Sequence, residues 1–153
     1  MLKKLLCLTL MLCLCAAFAV AEEGGPTFTL AFDEGFTLAL PEGWVSYPVE
    51  DSTIRYALGD GSGERFLYIL AEPTALQTFE EVQSALESGG NIGKTSALDL
   101  NGQPFAAFIA QNLNASGCAT LLNGETLTFL FTPQSDSEYM LTVARIMASF
   151  KLL

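Results

Sequence analysis

The sequence predicts an α+β fold: an antiparallel sheet of about six or seven strands with helices on both faces, an α/β/α sandwich. Three observations predict it. Short apolar runs, alternating or two-sided, recur along the chain with turn residues between them. Two further segments carry apolar residues at helical spacing behind capping residues. One central run, 105–110, is apolar on both faces, with Phe105, Ala107 and Ile109 on one and Ala106, Phe108 and Ala110 on the other. A strand without a wet face needs cover on both sides, and two amphipathic helices can supply it.

The first 21 residues read as a secretory signal peptide and stand outside the fold. Lys3 and Lys4 make a basic start, residues 5–19 are apolar, and Ala19-Val20-Ala21 is an A-x-A cleavage site followed by Glu22-Glu23. Cleavage after Ala21 is expected. The apolar run is short for a spanning helix and lacks a basic stop-transfer flank, so no integral membrane span is expected after cleavage. Cys7, Cys13 and Cys15 each follow a leucine (Leu6, Leu12, Leu14), whereas a lipoprotein site requires a small residue there. Residues 22–153 are expected to form a single domain, secreted, periplasmic or extracellular, with the bacterial envelope as its setting.

Charge narrows the partners. The chain holds 17 acidic and 7 basic residues and no histidine, for a net charge of −10. Cleavage would remove Lys3 and Lys4 and no acid. Such a surface repels nucleic acid and anionic membrane. Cleavage would also leave Cys118 as the one cysteine, so no intramolecular disulfide is expected and the core must hold the domain. Half the residues are hydrophobic, with 11 phenylalanines, which permits such a core.

In chain order, residues 27–32 and 36–40 alternate around Asp33-Glu34-Gly35, with Phe28, Leu30 and Phe32 on one face of the first run and Phe36, Leu38 and Leu40 on one face of the second. That predicts a hairpin or a bent strand. Pro41-Glu42-Gly43 turns the chain into Trp44, the sole tryptophan, which is expected to close one end of the core. Residues 53–58 alternate, with Ile54, Tyr56 and Leu58 opposite Thr53 and Arg55. After a glycine-rich loop, residues 65–71 return as a strand covered on both sides. Thr78 and Glu81 have capping-box spacing, and Phe79, Val82, Ala85 and Leu86 form the buried stripe of a helix that ends at Gly89-Gly90.

Asn101-Gly102 and Asn123-Gly124 are two-residue hairpin turns. They set Leu98 opposite Phe105, Ala97 opposite Ala106, Cys118 opposite Phe129 and Thr120 opposite Leu127. The short polar link 111–115 joins the hairpins into a meander. Pro104 lies beside a turn, where a missing ladder donor is tolerated. A second capping box, Ser135 to Glu138, starts the last helix. Its apolar face is Tyr139, Val143, Ile146, Met147 and Phe150. Glu138, Thr142, Arg145 and Ser149 form a polar stripe, and Lys151 sits where the helix dipole favours a cation.

This order of phrases is similar to a known group. A strand ending Leu40-Pro41-Glu42-Gly43-Trp44 opens the domain. A helix begins near Thr78-Phe79-Glu80-Glu81, a strand turns at Asn101-Gly102, and residues 129–133 lead to a helix ending Ala148-Ser149-Phe150-Lys151. The chain resembles the PsbP-like and DcrB-like secreted domains of bacteria and the chloroplast lumen. The resemblance implies a three-layer sandwich with a non-enzymatic or unassigned envelope role. It carries over no metal-ligand residues.

The chemical motifs are few. Without histidine, Ser-His-Asp and Cys-His catalysis and His-ligated metals are excluded. Cys118 reads as a small core residue rather than a reactive thiol. Asp60, Ser62 and Glu64 alternate as in calcium loops, but Arg65 stands where the loop glycine belongs and Ala71 where its bidentate glutamate belongs. The neighbours Glu50-Asp51 and Glu80-Glu81 cannot face each other across a cleft as glycosidase carboxylates must. Asn114-Ala115-Ser116 fits the glycosylation sequon, which matters only in a eukaryotic secretory pathway. No catalytic, cofactor-binding or metal residue is therefore assigned, and no cofactor is expected. The expected function is a non-catalytic envelope domain that binds a protein or small ligand. The alternatives are a carboxylate-based hydrolase and a calcium-binding envelope protein.

Overall fold

A computed structural model describes residues 25–153, so the signal peptide expected at 1–21 lies outside the described residues. These fall into two compact units. One is the described chain up to Glu42 together with Asp136–Leu153; the other is Gly43–Ser135.

In the first unit, β1 (Thr27–Phe32) and β2 (Phe36–Pro41) form an antiparallel hairpin, and β10 (Lys151–Leu152) pairs with the other side of β2. The hairpin closes because Gly35, at φ +95°, donates its N–H to the Phe32 carbonyl at 3.0 Å. Phe36, Leu38 and Leu40 are buried on one face of β2, as their alternation predicts. Helix α2 (Ser137–Ala148) buries Tyr139, Met140, Val143, Ala144, Ile146 and Met147. Phe150, just past its end, is fully buried and stacks on Phe36 with ring centroids 5.4 Å apart.

The second unit is a seven-stranded antiparallel sheet in the order β3-β4-β5-β9-β8-β7-β6. Its strands are β3 (Val45–Tyr47), β4 (Ile54–Gly59), β5 (Phe66–Pro73), β6 (Ser96–Leu100), β7 (Gln103–Ala110), β8 (Ala115–Leu122) and β9 (Glu125–Thr132). β6 to β9 form the expected meander. Asn101 and Gly102, and Asn123 and Gly124, all take positive φ, as the two-residue turn requires. The resulting pairs are Leu98–Phe105, Ala97–Ala106, Cys118–Phe129 and Thr120–Leu127, as their turns predict. Pro104 has no N–H for β8, and the Gln103 side chain donates to the Leu121 carbonyl at 3.0 Å in its place. Buried Thr120 donates to the Pro104 carbonyl at 2.7 Å and accepts from Gln103 at 2.6 Å.

Helix α1 (Phe79–Ser88) carries the expected capping box: Thr78 Oγ1 accepts from the Glu81 N–H, and the Glu81 carboxylate accepts from Thr78 N–H. Val82 sits with Ala106, Phe108, Ala110, Ala115 and Ala119 in one cluster, against which Phe79 and Leu86 pack. α1 therefore covers the β7–β8 part of one sheet face.

Five expectations are corrected. The strands divide between two sheets, because β2 offers its second edge to β10 rather than joining the larger sheet. The last helix is not capped by a Ser135–Glu138 box: Asp136, with extended backbone, accepts from Tyr139 N–H at 2.9 Å. Ser135 is held elsewhere, by the Asn114 side chain. Lys151 is not at a helix end, since α2 stops at Ala148 and Lys151 begins β10. Ser149 is not a bystander on a polar stripe: its hydroxyl accepts the Ala39 N–H at 2.8 Å and donates to the Ile146 carbonyl. Ala85 is exposed, because the buried stripe of α1 narrows to Val82 with half-buried Phe79 and Leu86.

Candidate binding surface

The strand registers align one row of residues across the larger sheet. Tyr47 of β3 pairs with Ala57, Ala57 with Tyr68, Tyr68 with Leu130, Leu130 with Gly117 and Gly117 with Phe108. Paired residues share a face, so all six point the same way. Phe108 lies in the cluster under α1, and half-buried Leu130 packs against it. Tyr47 and Tyr68 lie on that face but toward its other end. The adjoining row adds Val45, Gly59 and Phe66.

These side chains form an aromatic strip. Phe66 and Tyr68, two apart on β5, stack with centroids 5.7 Å apart, and Tyr47 meets Phe66 edge-on at 5.3 Å. All three are half-buried, and Val45 beside them is 45% exposed. Gly59 makes the packing possible. A Cβ there would lie 2.6 Å from the Arg65 carbonyl oxygen and 3.0 Å from the Tyr47 ring. The same strand looks different from its opposite face, where Leu67, Ile69 and Ala71 are all buried. Sequence reasoning treated 65–71 as covered on both sides and so missed the strip. The available signal was the placing of Tyr, rather than Leu or Ile, at 47 and 68, since a phenol needs a wet or bonded tip.

The residues singled out for chemistry are not brought together. Among the described residues, no three acidic or cysteine side chains are grouped to hold a metal ion. Asp60 accepts from the backbone and hydroxyl of Ser62, and faces Arg65 at 3.7 Å. Its carboxylate is thus engaged in a turn and a surface ion pair. Asp51 is drawn below the usual carboxylate range by the N–H and then the hydroxyl of Thr53. Glu81 is lowered by the N–H groups of Gln77 and then Thr78, and Glu87 by the N–H and hydroxyl of Thr95. A general acid needs the opposite shift, upward by burial. Glu50 and Glu80 are exposed.

Cys118 is buried opposite Phe129, and burial pushes its thiol well above its ordinary value. A reactive thiol requires a lowered one. Asn114 of the sequon is a structural residue. At φ +45° it ends the 3-10 turn Gln111–Leu113, accepts from Ser135 N–H at 3.1 Å and donates to the Ser135 hydroxyl at 3.1 Å. Its carbonyl also accepts the Gln134 N–H at 2.7 Å. The sequon serine, Ser116, is buried.

No helix among the described residues is long and apolar enough to cross a membrane. No family model matches the sequence, and no curated protein matches it. Solved structures do match. The solution structure of cyanobacterial PsbP (CyanoP) from Synechocystis sp. PCC 6803 is similar with a TM-score of 0.57 at 14% identity, over 84% of this chain and 94% of that one. The likeness shows a PsbP-like α+β fold.

Proposed function

We propose that this chain is an exported, non-catalytic binding domain of the cell envelope, and that the Tyr47–Phe66–Tyr68 strip docks a protein segment. The observation that carries the reading is the strip itself: rings packed side by side and half-exposed on one face of the seven-stranded sheet. Aromatic side chains offer large contact area with few rotors to immobilise, and their enrichment in binding surfaces follows from that. The acidic composition favours a partner with basic residues around its docking segment. Export, cleavage after Ala21 and a single domain over 22–153 belong to the same proposal. So does the α/β/α layering with a helix on each face. The buried residues on both sides of β7 support it.

Site-specific photocrosslinking in the native envelope tests the reading. A crosslinker replacing Val45 is expected to capture a discrete partner, whereas one replacing exposed Ser84 on α1 is not. Phe66→Ala and Tyr68→Ala should lower the Val45 yield about tenfold, the loss of one well-packed anchor. Equal capture from both positions, or a yield indifferent to both substitutions, would refute the docking role. N-terminal sequencing of the exported chain should begin at Glu22; a chain beginning at Met1 would refute the export route.

A further inference from the structure

Among the described residues, one edge of the three-stranded sheet lacks the usual protection against pairing. β1 is an edge strand, paired with β2 alone among the described residues. Its sequence, Thr-Phe-Thr-Leu-Ala-Phe, has no charge, proline or glycine. Edge strands are ordinarily protected by such residues, by a bulge or by shortness. β1 has six residues in unbroken register with β2. The breakers stand only at its ends: Gly25-Pro26 before it and Asp33-Glu34-Gly35 after it.

The backbone directions follow from one hydrogen bond. Glu42 N–H donates to the Pro26 carbonyl at 3.0 Å, so positions 26 and 42 are a hydrogen-bonded pair. In an antiparallel ladder such pairs alternate, so Phe28, Leu30 and Phe32 turn their backbone groups toward β2. Thr27, Thr29 and Ala31 turn theirs outward. A second contact checks the phase. Ala39 lies opposite Thr29, and its N–H points away from β1, to Ser149.

We infer that β1 pairs antiparallel with β1 of a second copy of this chain, with Thr29 opposite Thr29 on the two-fold axis. In that register Thr27 of each copy faces Ala31 of the other. All the outward backbone groups then meet outward groups, which no other register achieves. The side chains agree. Phe28 and Leu30 share the face of the hairpin that holds buried Phe36, Leu38 and Leu40, yet Phe28 is 39% exposed at the rim. The pairing sets each Phe28 against the partner's Leu30. Charge favours the same arrangement. The antiparallel seam itself is neutral and sends the two Asp33-Glu34 turns to opposite ends. A parallel seam would set Asp33 against Asp33. The chain's net charge of −10 opposes association generally, so the dimer is a weak one that salt strengthens. This inference is independent of the aromatic strip, which lies in the other compact unit.

Sedimentation equilibrium of the purified chain tests it, in a concentration series at about 0.15 M salt. The wild type is expected to dimerise. Thr29→Lys and Thr29→Glu each set like charges face to face and should raise the dimer Kd at least about tenfold. Mixing the two variants should restore dimers, because the opposed charges then attract. Ala31→Lys and Thr27→Glu combined in one chain set opposite charges face to face at both ends of the seam and should lower the dimer Kd. Thr27, Thr29 and Ala31 are exposed, and circular dichroism verifies that each variant folds. A wild type that stays monomeric into the millimolar range would overturn the inference. So would a dimer indifferent to Thr29→Lys, or a mixture that fails to re-pair. A monomeric chain whose position 29 crosslinks to a foreign polypeptide would assign the edge to another partner, and likewise overturn it.

Discussion

Gly117→Ala should destabilise the protein, although alanine at a glycine site ordinarily does the reverse. Replacing glycine with alanine in compatible backbone stabilises by about 0.4–1 kcal/mol, through the unfolded chain. Gly117 does not offer the space. A Cβ there would lie 2.6 Å from Phe108 Cζ, 2.8 Å from Phe108 Cε2 and 2.6 Å from the Phe129 carbonyl oxygen. Phe108 is buried in the cluster under α1, so its ring has little room to swing. The Phe129 carbonyl is part of the strand beside it and cannot withdraw without moving β9. Overpacking of this kind costs about 1–3 kcal/mol, which exceeds the entropic gain. Gly93 is the control: a Cβ there meets nothing within 4 Å. Urea unfolding followed by fluorescence of buried Trp44, the sole tryptophan, reads both. With a slope of about 1–3 kcal/mol per molar urea, Gly117→Ala should lower the midpoint by about 1 M, and Gly93→Ala should leave it level or raise it. The double variant Gly117→Ala with Phe108→Leu should remain below Phe108→Leu alone, because it removes the ring clash and keeps the carbonyl one. Two single variants that shift the midpoint in the same direction would refute the reasoning.

Three further outcomes follow from the first unit and from the cap of α1. Phe150→Ala should cost about 3–5 kcal/mol, since the ring is fully buried on Phe36. Ser149→Ala, neutral on the polar-stripe reading, should cost about 1–2 kcal/mol by leaving Ala39 N–H without its acceptor; a thermal midpoint equal to wild type would contradict that contact. Glu81 has a folded pKa below its ordinary 4.5, held there by Gln77 and Thr78. A depressed folded value means its stabilisation is present above the unfolded pKa and is lost as pH falls through the folded one. The stability difference between wild type and Glu81→Gln should therefore shrink from about pH 5 downward. A difference that stays constant on acidification would count against the capping interaction.

What was legible in the sequence was local. Asn101-Gly102 and Asn123-Gly124 each dictate a turn, and a two-residue turn dictates every pairing along its hairpin. The capping box of α1 spans Thr78 to Glu81 and is complete within one turn. The misread features depend on residues far away in the chain. Ser149 looked like a surface position until Ala39, 110 residues earlier, was placed beside it. Ser135 has the spacing of a cap, but Asn114 claims it first and the cap passes to Asp136. The irregular pairing between Ile54 and Tyr56 breaks an alternation that the sequence writes as regular. Arg55, between the two, forms a surface ion pair with Glu125 at the start of β9, at 3.4 Å.

The candidate surface was hidden for a different reason, one of width. Sequence logic assigns each face of a two-sided strand a cover, but it does not ask how wide the cover is. Seven strands at about 4.8 Å spacing make a sheet roughly 29 Å across. One helix is about 10–12 Å in diameter and shields two or three of them. α1 packs on β7 and β8 and reaches Leu130 of β9. Strands β3, β4 and β5 lie beyond that reach; Ala57 and Gly59 on this face are buried, while Tyr47, Phe66 and Tyr68 stay half-buried and Val45 exposed. A chain with no use for that surface would carry threonine or lysine there, as exposed sheet faces do. This one carries Tyr47, Phe66 and Tyr68, and places Gly59 where a side chain would push the Tyr47 ring aside. Three large rings in water lower solubility and, half-covered, contribute less to stability than buried leucines would. Their presence on the one part of the face that α1 cannot cover is therefore the strongest physical argument that the surface has an occupant.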